Sequence, residues 1–476
     1  MNDNVIDSLK AERKKALIAG LGASGESAKK AFEHFNVETL TFDANRPDAD
    51  YAGVSHVDWS QIGAVAASPG FSPNSEILAA ARENAVPIIS EVGLARQIAA
   101  SDSAQWVGIT GTNGKTTTTE MTAAMIRFAG IDAAAVGNIG VPVTQSVLEK
   151  HEAYVAELSS FQLHYTNAAG LDCAAITNLA DDHLDWHGSF EAYAADKAKI
   201  FENTKKAIVY NADDEKTALI AQNAKVGEGC IKIGFTLLEP QEGQIGIKNG
   251  SIVNRSQAGD GSGKRFVAKL SDFPFMCAAD GNMYPHLAAD ALCALAVVFG
   301  LGIDNAKALE ALRRFSPGDH RIKTVAVKKT DGTDIVFVDD SKATNSHAAA
   351  ASLNSFADKS VVWIAGGKAK GARFEQLIRT QKQKIKAAVI IGVEQKEMRE
   401  AFESEAPEIP VVYISPEPAG TVMQRAVEQA GRRAEDADCV LLAPACASMD
   451  QFKSYAERGD CFAKAAREYA EKPAQS

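Results

Sequence analysis

Short apolar runs that stop at glycine-rich turns, each followed by a stretch of helical periodicity, set the rhythm of this chain. The first run, K-A-L-I-A, ends at Gly20-x-Gly22-x-x-Gly25, and a second, T-L-T-F, stops at Asp43 about 20 residues later. This is the spacing of a βαβ unit. A second opening begins where Trp106 to Ile109 run into Gly111-Thr112-Asn113-Gly114-Lys115-Thr116-Thr117 and an amphipathic stretch that stops at Gly130. The apolar runs A-Y-V-A-E-L, C-A-A-I-T-N-L and A-I-V-Y-N-A-D-D follow it. A third opening comes after Pro317-Gly318, where I-V-F-V-D-D, V-V-W-I-A-G-G-K-A-K-G and V-L-L-A-P-A-C-A-S each end at a turn. Strands alternating with helices predict an α/β protein with mainly parallel sheets. Residues 241–272 differ, with Asn-Gly and Gly-Asp-Gly-Ser-Gly turns that predict a small antiparallel insert.

A length of 476 residues accommodates three domains, placed at 1–101, 102–318 and 319–476. A hydrophobic fraction of 46% with 23% charged residues is that of an ordinary globular protein. The net charge of −11 argues against a bulk nucleic-acid binder, although a local basic pocket for an anion remains compatible with it. No apolar run approaches a membrane span, and the N-terminus lacks a signal pattern, so a cytoplasmic protein with no membrane insertion is expected. Seven scattered cysteines, with no C-x-x-C, favour reduced thiols over zinc or disulfides.

The loop at Gly111–Thr117 carries the strongest chemical signal. A turn of this kind lets backbone N–H groups close around phosphate oxygens, Lys115 adds a point charge, and Thr116 offers a hydroxyl to Mg2+. The common phosphate-loop pattern has Gly where Ile109 stands, so the match is partial. The first glycine motif is weaker: Asp43 strengthens a nucleotide reading, and a dinucleotide is only one option. In D-D-H-L-D-W-H, His183 and His187 are four apart and could share a helix face. Metal ligation and ordinary hydrogen bonding are both open on spacing alone. Glu157 ends an apolar run and supplies the oxygen chemistry Mg2+ prefers. Lys197 lies in an amphipathic stretch, where pattern alone predicts a solvent-facing side chain. Lys342, Lys370, Ser448 and Tyr455 lie in or near three strand-end turns of the last third, where convergence would suit a small dianion.

The motifs T-G-T-N-G-K-T, E-L-S-S-F-Q-L, D-H-x-D-x-H, Y-x-x-x-K, H-R, D-S-K-A-T-N and C-A-S-x-D-Q-F occur in the order found in the Mur ligases. The chain resembles that family over essentially its full length. E-L-S-S-F-Q-L, G-L-G-x-S-G with A-S-P-G, and C-A-S-M-D-Q-F point to the members that add D-glutamate to UDP-N-acetylmuramoyl-L-alanine in peptidoglycan precursor synthesis. The resemblance implies a Rossmann-like N-terminal domain, a central P-loop-type ATPase domain and a Rossmann-like C-terminal domain. It implies ATP as co-substrate, two Mg2+ ions and a monomer. By the same resemblance Ser24, Asp43 and Gly70 surround the uridine diphosphate, and Gly111 to Thr117 wrap the ATP phosphates. Asn138 and His183 contact the muramoyl substrate or its metal, while Thr116, Glu157 and His183 hold Mg2+. Arg321 and Asp340 reach ATP from the last domain, and Lys342, Thr344, Lys370, Ser448 and Tyr455 surround D-glutamate. Lys197 aligns with a carbamylated lysine, whose carbamate oxygen can join the metal set. His183 is also placed as a base for the incoming amine, a role that excludes metal ligation.

Some positions depart from the family. The usual H-N-x-x-N-A reads His286-Leu287-Ala288-Ala289-Asp290-Ala291, which leaves the adenine contacts open. Lys368 adds a charge to the loop that holds Lys370, and Tyr455 replaces a frequent Phe. A sibling ligase with another amino acid, or a folylpolyglutamate-synthase-like enzyme, is the alternative; the N-terminal domain speaks against the latter. An NTPase without a ligase step and a nicotinamide-dependent dehydrogenase are the alternatives from other classes.

Overall fold

In the computed structural model, which describes residues 4–166, 170–258, 266–277, 283–330, 332–435 and 438–472, the apolar runs form strands and the periodic stretches cover them as helices. The chain divides into two units, one of Met1–Pro274 with Leu287–Phe315, the other of Phe275–His286 with Ser316–Ser476.

The first unit contains two sheets. The smaller has β1 (Lys15–Ala19), β2 (Thr39–Phe42), β3 (Ile62–Ala67) and β4 (Ile88–Ser90), in the order β2-β1-β3-β4 and all parallel. Its glycine turn is built by sterics. Gly20 has φ +92°, and a Cβ on Gly25 would strike the Gly20 carbonyl oxygen. The helix Ala23–His34 therefore closes on the strand end only with Gly at position 25.

The larger sheet has β5 (Gln105–Thr110), β6 (Ala133–Gly137), β7 (Ala153–Glu157), β8 (Cys173–Ile176), β9 (Ala207–Asn211), β10 (Ile231–Phe235), β11 (Gln244–Lys248), β12 (Ser251–Asn254) and β13 (Phe266–Lys269). Their order is β13-β12-β11-β10-β9-β8-β5-β7-β6. Pairing is parallel from β6 to β11 and antiparallel from β11 to β13. The antiparallel segment expected at 241–272 thus extends the central sheet instead of standing apart from it. The Gly-Asp-Gly-Ser-Gly turn lies outside the described residues. Strand β5 sits between β8 and β7, so the loop that follows it is flanked by the ends of both. Burial of β5, β7 and β8 on both faces explains their near-continuous apolar sequences.

The second unit carries the third sheet: β14 (Lys323–Lys328), β15 (Ile335–Asp339), β16 (Val361–Gly366), β17 (Ile385–Ile391), β18 (Val411–Tyr413) and β19 (Cys439–Leu442), in the order β14-β15-β19-β16-β17-β18. Only β14 runs antiparallel. Trp363, fully buried in β16, donates its indole N–H to the carbonyl of Ala443 at 2.8 Å, so the core keeps its one polar indole atom satisfied.

Candidate active site

The phosphate-loop segment is held open by its neighbours. Gly111 and Gly114 have φ of +149° and +79°, and a Cβ at either would meet the side chains of Thr177 and Asp290 respectively. The turn after β8 pins the loop: Thr112 N–H donates to the carbonyl of Asn178 at 2.9 Å, and Asn113 N–H to its side-chain oxygen at 2.9 Å. Thr177 Oγ1 in turn donates to the Asn113 carbonyl at 2.5 Å. The helix Lys115–Phe128 starts directly at Lys115, so Thr116 and Thr117 stand in its first turn. Lys115 Nζ folds back onto the carbonyls of Gly111 (2.9 Å) and Thr112 (2.8 Å).

Lys197 departs most from the periodicity reading. It is 2% exposed, on the helix Phe190–Ala198, not on a solvent face. Its amine donates to the Gly111 carbonyl at 2.8 Å and to Thr110 Oγ1 at 3.2 Å. Burial, reinforced by the charge of Lys115, holds its pKa well below the usual lysine value, with Asp182, Glu157 and Asp196 opposing. The Thr110 hydroxyl in turn donates a hydrogen bond to the Leu158 carbonyl at 2.6 Å, which connects the lysine to the corner after Glu157.

Glu157 is almost completely buried at the end of β7. Its Oε1 accepts from Asn138 Nδ2 at 2.8 Å, and the Asn138 N–H donates to its main-chain carbonyl at 2.9 Å. Its Oε2 is buried with no hydrogen-bond partner among the described residues. An orphaned carboxylate oxygen in the same unit as Lys197 and Thr116 is the donor type a divalent hard cation takes, so these residues fit such an ion. Among the described residues no three of His, Cys, Asp and Glu gather as a metal site. The predicted set has only two such side chains, Glu157 and His183, and would draw its other oxygens from Thr116 and a modified Lys197.

His183 and His187 both lie against the ring of Phe161, at centroid distances of 4.8 and 5.6 Å, but differ sharply in exposure. His183 caps the short helix Leu184–His187 from a left-handed backbone position (φ 53°) and is about half exposed, against the ring of Phe161. His187 turns inward and takes the ordinary hydrogen-bonding role. Its pKa is lowered by burial, against the pull of Asp196. Asp196 was not evident from sequence; burial opposes its charge, but hydrogen bonds from His164 and Lys199 outweigh this and hold its carboxyl below the usual value.

In the smaller sheet, Asp43 accepts from the N–H of Leu21 (3.0 Å) and of Asn45 (2.9 Å), and these bonds lower its pKa. It is thus tied to the glycine turn, with Ser24 in the first helical turn beside it and Gly70 exposed on the turn after β3.

In the second unit, the strand-end turns converge. Ala445 N–H donates to the Ala343 carbonyl (2.9 Å), and Lys368 N–H to that of Ala447 (2.8 Å). These bonds draw together the turns of Lys342 and Thr344, of Ser448, and of the Gly366–Gly371 loop. Lys342 Nζ lies 4.1 Å from the ring centroid of Tyr455. Lys370 is exposed near the tip of its loop with φ 52°. Asp340 is buried and accepts from Ser352 Oγ; burial pushes its pKa up to about 6, and the charge of Arg321 partly offsets that. Sequence reasoning missed Arg458. Fully buried on the helix Tyr455–Ala470, it donates to Ser341 Oγ (3.0 Å), the Ser341 carbonyl (2.9 Å) and the Cys446 carbonyl (3.0 Å). Its burial lowers its pKa to about 10.

Comparison with known proteins bears on the family of the chain. A family model described as the Mur ligase middle domain matches residues 109–250, and one described as the Mur ligase glutamate ligase domain matches residues 320–446. The UDP-N-acetylmuramoylalanine--D-glutamate ligase of Bifidobacterium adolescentis is 55% identical, over 96% of this chain and 97% of its own. The enzyme of that name from Streptomyces coelicolor is 40% identical, over 96% and 98%. MurF from Acinetobacter baumannii superposes with a TM-score of 0.57 at 15% identity, covering 96% of this chain and 92% of that one. A MurF ligase from Thermotoga maritima in complex with ADP gives 0.53 at 15% identity, over 99% of each chain. At these identities the solved structures speak for the fold alone.

Proposed function

This chain belongs to the Mur ligase family, and on that premise we propose that it joins D-glutamate to UDP-N-acetylmuramoyl-L-alanine at the expense of ATP. Residues 1–101 hold the UDP end, 102–318 bind ATP, and 319–476 bring the amino acid. The reading of substrate and amino acid is supported by the likeness to full-length relatives of that name. One observation of this molecule carries the chemistry furthest: the buried Lys197 amine on the carbonyl of Gly111, in the phosphate loop.

The reaction follows from what must be made reactive. The L-alanyl carboxylate carries a negative charge and no leaving group. One carboxylate oxygen attacks the γ-phosphorus of ATP, the bond to the β-γ bridging oxygen breaks, and ADP departs with that electron pair. The neutral amine of D-glutamate then attacks the acyl carbon, the bond from that carbon to the phosphoryl oxygen breaks, and the departing phosphate keeps that electron pair and takes up the proton lost from nitrogen. Lys115 and the loop N–H groups offset charge on the transferring phosphoryl group. Thr116, Glu157 and a carbamylated Lys197 would hold Mg2+, which supplies charge neutralisation at the phosphates. A deprotonated amine is what reacts with carbon dioxide, and the burial that disfavours the ammonium of Lys197 favours that form. Lys342, Lys370, Ser448 and Tyr455 offer cations, a hydroxyl and a ring face to a small dicarboxylate. No helix among the described residues is long and apolar enough to cross a membrane; a cytoplasmic monomer acting on water-soluble substrates is part of the proposal.

The test is coupled ADP release. Release that requires both UDP-N-acetylmuramoyl-L-alanine and D-glutamate is expected; hydrolysis of ATP at the same rate without either would sink the ligase reading.

A further inference from the structure

Ser160, His187 and Asp196 form a connected line that the reaction above does not use. His187 Nε2 lies 2.9 Å from Ser160 Oγ, and its Nδ1 lies 3.1 Å from Asp196 Oδ2. The same Oδ2 receives His164 Nδ1 at 2.8 Å, and Oδ1 receives Lys199 Nζ at 2.8 Å. A carboxylate with these donors leaves Nδ1 of His187 as the protonated nitrogen, so Nε2 accepts the Ser160 hydroxyl. The order is that of an acyl-transfer triad, but Ser160 is 2% exposed and the His187 side chain 1%. The rings of Trp186, Phe161 and Tyr193 wall the imidazole at centroid distances of 4.4, 5.6 and 5.3 Å. No substrate carbonyl reaches that hydroxyl, so the line is structural.

What it joins is informative. Ser160 begins the helix Ser160–His164, three residues after Glu157. His187 ends the helix that His183 caps. Asp196 precedes Lys197 on the helix Phe190–Ala198. We propose that His187 is a positioning residue that fixes the segments carrying Glu157, His183 and Lys197 in one register and so sets the geometry of a divalent-cation site. The inference rests on the reading of Glu157 and Lys197 as cation-holding residues. One imidazole with two buried hydrogen bonds does this where a longer, more flexible side chain would not, and partners one shell out from a metal set its affinity.

The test uses the full chain with ADP and Mn2+ as the probe, Mn2+ binding being followed by electron paramagnetic resonance. Carbon-13 bicarbonate adds a second readout, a carbamate resonance that Lys197→Ala removes. His187→Ala is expected to keep its circular dichroism, to lose about 10- to 100-fold in Mn2+ affinity, and to weaken the carbamate signal. Ser160→Ala, which removes a single hydroxyl, should shift both readouts in the same direction by less. A folded variant of either kind with wild-type Mn2+ affinity and carbamate signal overturns the inference; if His187→Ala does not fold, Ser160→Ala decides. If the wild-type protein shows neither Mn2+ binding nor carbamate, the cation-site reading itself fails and the inference falls with it.

Discussion

The buried amine of Lys197 lies 2.8 Å from the carbonyl oxygen of Gly111, the residue that opens the phosphate loop. A helix that begins three residues past the D-H-x-D-x-H segment thus reaches the loop directly, and a change at Lys197 should be felt as catalysis before it is felt as folding. Lys197→Ala is predicted to lower kcat by on the order of 10²–10³-fold, with partial recovery in formate or acetate standing in for the missing carbamate. Full activity without added carboxylate would show that the lysine only fills space.

Gly114 is predicted to be intolerant of a side chain. Its φ is +79°, and a Cβ there would meet the Asp290 carboxylate. Gly114→Ala should cost about 1–2 kcal/mol of stability from the left-handed backbone and abolish the thermal protection given by ADP. Adding Asp290→Gly should restore part of the ADP protection but not the backbone cost. Equal ADP protection in Gly114→Ala and wild type would refute the steric account.

Arg458 clasps the turn of Ser341 to that of Cys446 with three donated hydrogen bonds. Arg458→Met leaves two buried carbonyls and a hydroxyl short of a donor, and a loss of about 2–4 kcal/mol is expected. Because those turns precede Lys342 and Ser448, KM for the amino acid should rise more than KM for ATP. A uniform fall in kcat with both KM values unchanged would place the residue outside amino-acid positioning.

The loop at Gly111–Thr117 and the glycine turn at Gly20–Gly25 were legible because backbone close approach demands glycine, which leaves a mark in sequence. Lys197 was not legible from periodicity: its helix has no strong apolar face, and only its tertiary contacts with Thr110, at the end of β5, and Gly111 show that this lysine points inward. Arg458 was missed for the same reason, since an arginine on a helix of charged and alanine residues reads as surface. Asp290 was visible as an unusual residue, but its place against Gly114 depends on how the helix Pro285–Leu301 crosses the loop. The order β8-β5-β7-β6 arises from crossovers that strand-by-strand reading does not specify.

Glu91 gives a pH prediction. It is buried, its Oε1 accepts from both the N–H and the hydroxyl of Thr144, and burial raises its pKa to about 7 against those bonds. The native state therefore holds this proton through a range in which the unfolded chain, with a glutamate pKa of about 4.3, has released it. Stability contributed by the protonated form is fully present below the unfolded value and is lost as pH rises through about 7. Denaturant unfolding from pH 5 to 8 should show a decline on the order of 3 kcal/mol from this group. Glu91→Gln should flatten that part of the profile; an unchanged slope in the variant would assign the effect elsewhere.

The most direct measurement is product formation with UDP-N-acetylmuramoyl-L-alanine, ATP, Mg2+ and a panel of D-glutamate, L-glutamate, L-alanine, L-lysine and meso-diaminopimelate, read by mass spectrometry alongside ADP release. The account predicts one adduct, that of D-glutamate, formed with one ADP per product. Turnover of another amino acid at an equal or higher rate, or ADP release with no adduct, would contradict it.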